Sequence, residues 1–258
     1  LFIQIPSFFH SGFHWRTIFG LRQIKLKLHS GVLKTIKLMV PRSLGLGAGQ
    51  FNTIIITSIA STLATGSVAI FNLASNLSSM LVNAIAISLS TAIFPTMSLA
   101  YSSQDEKDFE NKFSGAFRQI LFLVTPLSFL IFILRAQIVR VVLGVGQFGW
   151  LDTRLTAACL GVFSLGLLGQ ALILIFSKTF YAAHNKRIPA VVSVVTVILN
   201  IVMSFLFVWL LSSYCAFHAF VQYLLKLQGI EDIRIAGLAL AFAITMVLEA
   251  LVLLVLLH

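Results

Sequence analysis

Residues 68–100 read VAIFNLASNLSSMLVNAIAISLSTAIFPTMSLA, a run without one charged side chain. About 20 apolar residues suffice for a helix to cross the hydrocarbon core of a bilayer, so this run is long enough to span a membrane. It is not uniformly apolar. Asn72, Asn76, Ser79, Asn83 and Ser90 recur at spacings of four, three, four and seven, with Ser75 adjoining. Helical geometry places three amides on one face at that spacing. Polar side chains are costly in hydrocarbon and turn toward protein or a water-filled cavity. The run therefore predicts a transmembrane helix with one polar face directed away from lipid.

Outward from this run, further apolar stretches occupy approximately 41–64, 117–143, 153–181, 188–211 and 235–257. Pro41 opens the first and Pro189 stands near the start of the fifth, where a missing N–H costs a helix nothing. Of the 258 residues 59% are hydrophobic and only 10% charged, against about a quarter charged in ordinary soluble domains. That balance excludes a soluble enzyme, and the length holds about six spans and no soluble domain beside them. The predicted class is an all-α integral membrane protein. Residues 1–40 form the end of a preceding helix plus a basic amphipathic connector, and residues 41–258 form a six-helix membrane lobe.

The connector carries Arg16, Arg22, Lys25, Lys27, Lys34 and Lys37 without an acid, interleaved with Phe13, Trp15, Leu26, Leu33 and Ile36. Such a pattern suits a membrane surface rather than nucleic acid in so apolar a chain. Assigning alternate connectors to opposite sides puts thirteen of the 18 Lys and Arg residues on the side of this connector, and Arg135, Arg140, Arg154, Lys226 and Arg234 on the other. The first side is thus cytoplasmic. Arg135 and Arg140 reach lipid phosphates by snorkelling or line a pathway. Residues 213–228 read either as a short surface helix, with Phe217, Phe220, Val221, Leu224 and Leu225 on one face, or as a loop.

The first span has a second polar face, Gln50, Thr53, Thr57 and Ser61, at spacings of three, four and four. Hydroxyl stripes of this kind also serve helix packing. Three asparagines with Gln50 point instead to a hydrated cavity or substrate path. Asn200 lies mid-way along the fifth span and Glu249 well inside the sixth, which makes both candidates for ion binding or coupling; for Glu249 the alternative is a protonated or interface-reaching carboxyl. Asp152 and Thr153 read as an N-cap at the start of the fourth span. Cys159 and Cys215 form no metal-spaced pair, and the six histidines are scattered. No nucleophile elbow, zinc-protease or phosphate-loop motif occurs. The expectation is no enzyme, no metal and no cofactor.

These stretches also resemble a family. Pro41-Arg42 through Gly47-Ala48-Gly49-Gln50-Phe51-Asn52, then Ile59-Ala60-Ser61-Thr62-Leu63 and Gly66-Ser67-Val68, are similar to the seventh helix and following turn of the MurJ/MviN lipid II flippases, members of the multidrug/oligosaccharidyl-lipid/polysaccharide exporter superfamily. In order follow Ser90-Thr91, Phe94-Pro95, Gly146-Gln147-Phe148, Asp152-Thr153, Phe180-Tyr181-Ala182, Pro189, Leu199-Asn200 and Ala236-Gly237-Leu238-Ala239. The resemblance covers nearly the whole chain. It implies the C-terminal six-helix lobe of a transporter that rocks two lobes about a central cavity, with the N-terminal lobe absent. The chain begins at Leu1 without Met, which reads as a fragment. The implied partners are an anionic lipid-linked substrate of the undecaprenyl-pyrophosphate type, membrane lipids and the missing lobe, in the bacterial cytoplasmic membrane. The substrate-cavity residues are Gln50, Thr53, Thr57, Asn72, Asn76, Ser79 and Asn83.

Two departures from the family stand out. Where the family's eighth helix often has a cavity-facing Arg, the sequence has Asn76, which hydrogen-bonds a pyrophosphate without neutralising it. At the positions of a cation site proposed in some relatives stand Ile56, Asn200 and Ser204, of which only Asn200 matches. Other readings are an exporter of another lipid-linked glycan or of a drug, or a non-transporting membrane scaffold.

Overall fold

Long apolar runs bounded by Gly and by short polar connectors leave the backbone one way to satisfy its own polar groups in hydrocarbon, the helix. The computed structural model describes residues 47, 49–144, 149–213, 215–225, 227, 230 and 232–257. Helix α1 runs over 49–61. After a turn at 62–66 come α2, Ser67–Val82, one π-helical turn at Asn83–Ile87, and α3, Ser88–Ser102, the three running on as one rod. Then follow α4, Glu106–Leu143; α5, Trp150–Ala182; α6, Arg187–Ser213; α7, Cys215–Leu225; and α8, Arg234–Leu257. Among the described residues five helical stretches are long and apolar enough to cross a membrane: α2 with α3, then α4, α5, α6 and α8. The basic connector, Pro41 and Lys226 lie outside the described residues.

The centre is α5, which is apolar nearly all round and buried over most of its length, as such a helix must be. It packs along α8 on one side and along α2, α3 and α4 on others, while α6 packs chiefly on α8. Phe163 fastens three of these helices, meeting Phe71 of α2 and Phe242 of α8 edge to face at 5.3 Å each. The α5–α8 contact depends on absent side chains. A methyl group on Gly169 would lie 2.8 Å from the Met246 carbonyl oxygen, and one on Gly166 would lie 3.0 Å from the Ala243 Cα. In a bilayer, where no hydrophobic effect presses helices together, such backbone approach is a main source of cohesion.

Helix α4 begins at Glu106, eleven residues before the apolar stretch 117–143. The Asp105 carboxylate accepts from the Asp108 N–H at 3.0 Å, Glu106 and Asp108 lie in the first turn, and Asp108 pairs with Lys112. Caps and acids at an N-terminus start a helix whatever its hydropathy, so a hydropathy boundary falls too late. The start of α5 also needs correction. Its N-cap is Gly149, three residues before Asp152; the Asp152 carboxylate reaches back to the Gly149 N–H at 3.1 Å, and Thr153 Oγ1 donates to the Gly149 carbonyl at 2.9 Å. Asp152 is thus the third helical residue, satisfying a free N–H from inside the helix. Of the two readings of residues 213–228, helix α7 is present, with Val221 and Leu225 buried, Phe220 and Leu224 exposed, and Gln222 Nε2 donating to the Ile230 carbonyl at 2.9 Å.

Candidate functional site: an amide face and a buried polar bridge

The burial pattern of α2 separates two faces. Ser67, Ile70, Ala74, Ser78 and Val82 are buried, and this face packs on α5. Asn72, Asn76 and Asn83 are exposed and Ser79 is half-buried. The amide stripe is thus the face of α2 that the described helices leave uncovered. None of its three amides hydrogen-bonds to a described residue.

Ser90 departs from the stripe: it is 2% exposed, and its Oγ has no partner among the described residues. In an uninterrupted α-helix it would share a face with Asn83. The π turn at Asn83–Ile87 accommodates one extra residue, and one residue is worth about 100° of helix rotation, so Ser90 turns into the core. Asn83 therefore ends the stripe, at the first residue of the π turn.

On α1, Gln50, Thr53 and Ser61 are exposed and Thr57 is half-buried. Two of the hydroxyls are already occupied: Thr53 Oγ1 donates to the Gly49 carbonyl at 3.1 Å and Ser61 Oγ to the Ser58 carbonyl at 2.7 Å. Back-bonding of this kind is how hydroxyls are accommodated in apolar helices. It leaves the α2 amides as the stronger donors toward any ligand.

Asn200 and Glu249 occupy different environments. Asn200 is buried; its Nδ2 donates to Thr245 Oγ1 at 2.8 Å, bridging α6 and α8, and its Oδ1 has no partner among the described residues. Thr245 in turn donates to the Ala241 carbonyl at 2.8 Å, and Ser204 Oγ donates to the Asn200 carbonyl at 2.7 Å. Ile56 is buried as well. This bridge is neutral throughout. Glu249 is 8% exposed and lines a cavity of about 620 Å³ together with Ser177, Lys178, His184, Lys186 and Ser193. Among the described residues it makes no ion pair.

Neither Thr245, the partner of Asn200 from another helix, nor Asn52, whose Oδ1 is buried without a partner among the described residues, stands out from its spacing as a site residue. An isolated Thr in an apolar helix signals nothing until its neighbour is known.

The family model described as "Lipid II flippase MurJ" matches residues 1–258. The chain belongs to the lipid II flippase MurJ family. It is 30% identical over 192 residues to the probable lipid II flippase MurJ of Buchnera aphidicola subsp. Acyrthosiphon pisum (strain APS), covering 74% of this chain and 35% of that one. To the lipid II flippase MurJ of Burkholderia cenocepacia it is 26% identical over 191 residues, covering 74% and 37%. The chain thus spans little more than a third of the length of these relatives. A solved lipid II flippase MurJ in an inward closed conformation superposes with a TM-score of 0.69 at 24% identity, over 86% of this chain and 42% of that one. An outward-facing transporter of the multidrug resistance MATE family, in the MOP superfamily, superposes at 0.67 and 15% identity over 86% and 44%. The fold is that of the superfamily, an all-α arrangement with membrane-spanning helices. The family is one of transporters, and the chain is a multi-pass protein of the bacterial cytoplasmic membrane.

Proposed function

We propose that the chain forms one lobe of a flippase that moves lipid-linked peptidoglycan precursor across the cytoplasmic membrane by alternating access, and that it catalyses no covalent chemistry. The observation that carries this reading is the exposure of Asn72 and Asn76 on α2 and of Asn83 at the start of the π turn, on the face turned away from the core. Unpaired amides facing hydrocarbon would be costly, so this face is suited to a second lobe and a hydrated cavity between the two. Gln50, Thr53, Thr57 and Ser79 extend the same polar lining. The amides donate to the pyrophosphate and sugar oxygens of the headgroup, and positive charge comes from the facing lobe.

Coupling by a cation at the Asn200 bridge is weakly supported, because Asn200, Ser204 and Thr245 offer no carboxylate and hard cations favour charged oxygen ligands. Glu249, in its cavity beside Lys178 and Lys186, is the better candidate for a protonation step.

The test is export of precursor in cells depleted of their own lipid II flippase, supplied with this chain joined to the matching N-terminal lobe of a relative. Rescue that is lost with Asn76→Leu supports the reading. Rescue that persists with both Asn76→Leu and Asn83→Leu overturns the site. A membrane-inserted, intact protein that does not rescue at all favours another lipid-linked glycan or a non-transporting scaffold.

A further inference from the structure

A second polar feature lies at the opposite end of α4 from its capped N-terminus. The last turns of α4, the first turns of α5 and the end of α7 border an open cavity of about 770 Å³ lined in part by Arg135, Arg140 and Arg154, with no carboxylate among its described lining residues. The charge distribution of the sequence puts these arginines on the outer face of the membrane. Three arginines lining one cavity give it a positive potential that favours an anion.

Arg135 shows the most construction. It stands eight residues before the end of α4, about 12 Å along the helix axis, and so lies deeper than the terminal turn. Its side chain crosses the α4–α5 interface at Gly161, where a methyl group would lie 2.6 Å from both its Cδ and its Nη1. Glycine there leaves the space that the guanidinium fills. The side chain passes 5.1 Å from the Phe132 ring centroid, and Nη2 reaches the Leu225 carbonyl only at 3.5 Å. Nη1 is shielded from solvent and has no hydrogen-bond partner among the described residues. Nη1 thus stays in the α4–α5 contact, while Nη2, loosely held at 3.5 Å, remains a donor for an anionic oxygen in the cavity. Arg154, stacked 4.6 Å over Trp150, and Arg140, which is exposed, line the same cavity.

Apart from Thr153, the remaining lining side chains are mainly apolar. Phe132 and Leu224 line the cavity, and Trp150 at its edge is 74% exposed. A free inorganic anion gains nothing from such walls, whereas a phosphate carrying acyl chains gains from both parts of the site.

The geometry points to a binding site, between the outer end of α4 and the start of α5, for the phosphate of an anionic membrane lipid, held by Arg135, Arg140 and Arg154. It lies apart from the amide face of α2 and does not depend on the transport reading. Ordinary snorkelling differs from it in an observable way: it gives loose, unsaturable contact with any phospholipid.

The test reconstitutes the full chain in phosphatidylcholine vesicles containing a few per cent of a phosphatidylglycerol with a photoactivatable group near its headgroup. Cross-linked peptides are then mapped by mass spectrometry. The expected result is saturable labelling near one lipid per chain on residues 132–157. Arg135→Gln with Arg154→Gln lowers it by about tenfold, and Arg118→Gln, at the other end of α4, leaves it unchanged. Should the double variant fail to insert, Arg140→Gln alone alters an exposed side chain and is expected to reduce labelling by about threefold. Equal labelling by a phosphatidylcholine probe, or labelling that does not respond to Arg140→Gln in the inserted protein, overturns the site. Competition by millimolar inorganic phosphate overturns its assignment to a lipid and makes it a free-anion site.

Discussion

Asn200 of α6 donates a 2.8 Å hydrogen bond to Thr245 of α8, joining two membrane-spanning helices through a buried contact across 45 positions of sequence. The Thr245 hydroxyl in turn donates a hydrogen bond to the Ala241 carbonyl, so the bridge is tied to the backbone of α8. Thr245→Val removes the acceptor and leaves the Asn200 amide with neither its donor nor its Oδ1 paired. The expected loss is about 1–2 kcal/mol. Asn200→Leu combined with Thr245→Val is expected to cost less than the sum of the single changes. Thermal unfolding of the four proteins in one detergent measures the coupling.

The amide face predicts the opposite balance. Asn76 and Asn83 are exposed and support no packing, so leucine at either position should change unfolding stability by no more than about 0.5 kcal/mol. In the depletion assay each change should lower precursor export by about tenfold or more, the worth of one hydrogen bond to a charged group. Loss of export together with loss of stability would count against the site.

Gly169 gives a prediction about packing alone. A methyl group there meets the Met246 carbonyl at 2.8 Å, and backbone on both sides leaves little room to yield. Gly169→Ala is expected to push α5 and α8 apart and cost about 1–3 kcal/mol. Gly115→Ala, where a methyl group meets nothing within 4 Å, should be neutral or slightly stabilising through helix propensity. Detergent unfolding of the two variants side by side measures the contrast.

Ahead of α8, the Asp232 carboxylate accepts two hydrogen bonds from the Arg234 guanidinium, at 2.9 and 2.6 Å. This pairing, aided by a backbone N–H from Ala64, holds its pKa below the ordinary aspartate value against a smaller opposing effect of burial. A folded-state pKa that is depressed gives stability at and above the ordinary value of about 3.9, and that stability is lost as pH falls through the lower folded value. The pair is partly exposed, so its worth is at most about 1 kcal/mol. The expected outcome is that Asp232→Asn lowers stability at pH 7 and that the difference from the parent protein narrows below about pH 4. Unfolding midpoints across pH 3–7 measure it.

Particular residues show how far the sequence could be read. The apolar runs from Ser67 to Ser102 and from Arg187 to Ser213 were legible as long helices because hydrocarbon leaves a backbone few alternatives. The stripe of Asn72, Asn76 and Asn83 was legible because amides at helical spacing are conspicuous among apolar residues. Ser90 was misplaced because a π turn leaves little mark in the sequence beside it, and the start of α4 because Asp105 sets it by capping rather than by hydropathy.

The sequence by itself determined that this is an all-α membrane protein with one amide face, since transfer of charge and polarity into a bilayer is decided residue by residue. Only the tertiary structure decided that this face lies uncovered while Ser90 does not. It alone brought Asn200 to Thr245, and Arg135 over Gly161 into a cavity with Arg140 and Arg154. Those relations depend on which helices pack together and how closely. Contact between residues tens of positions apart is set by the complementary shapes of whole helix surfaces, a property no local spacing carries.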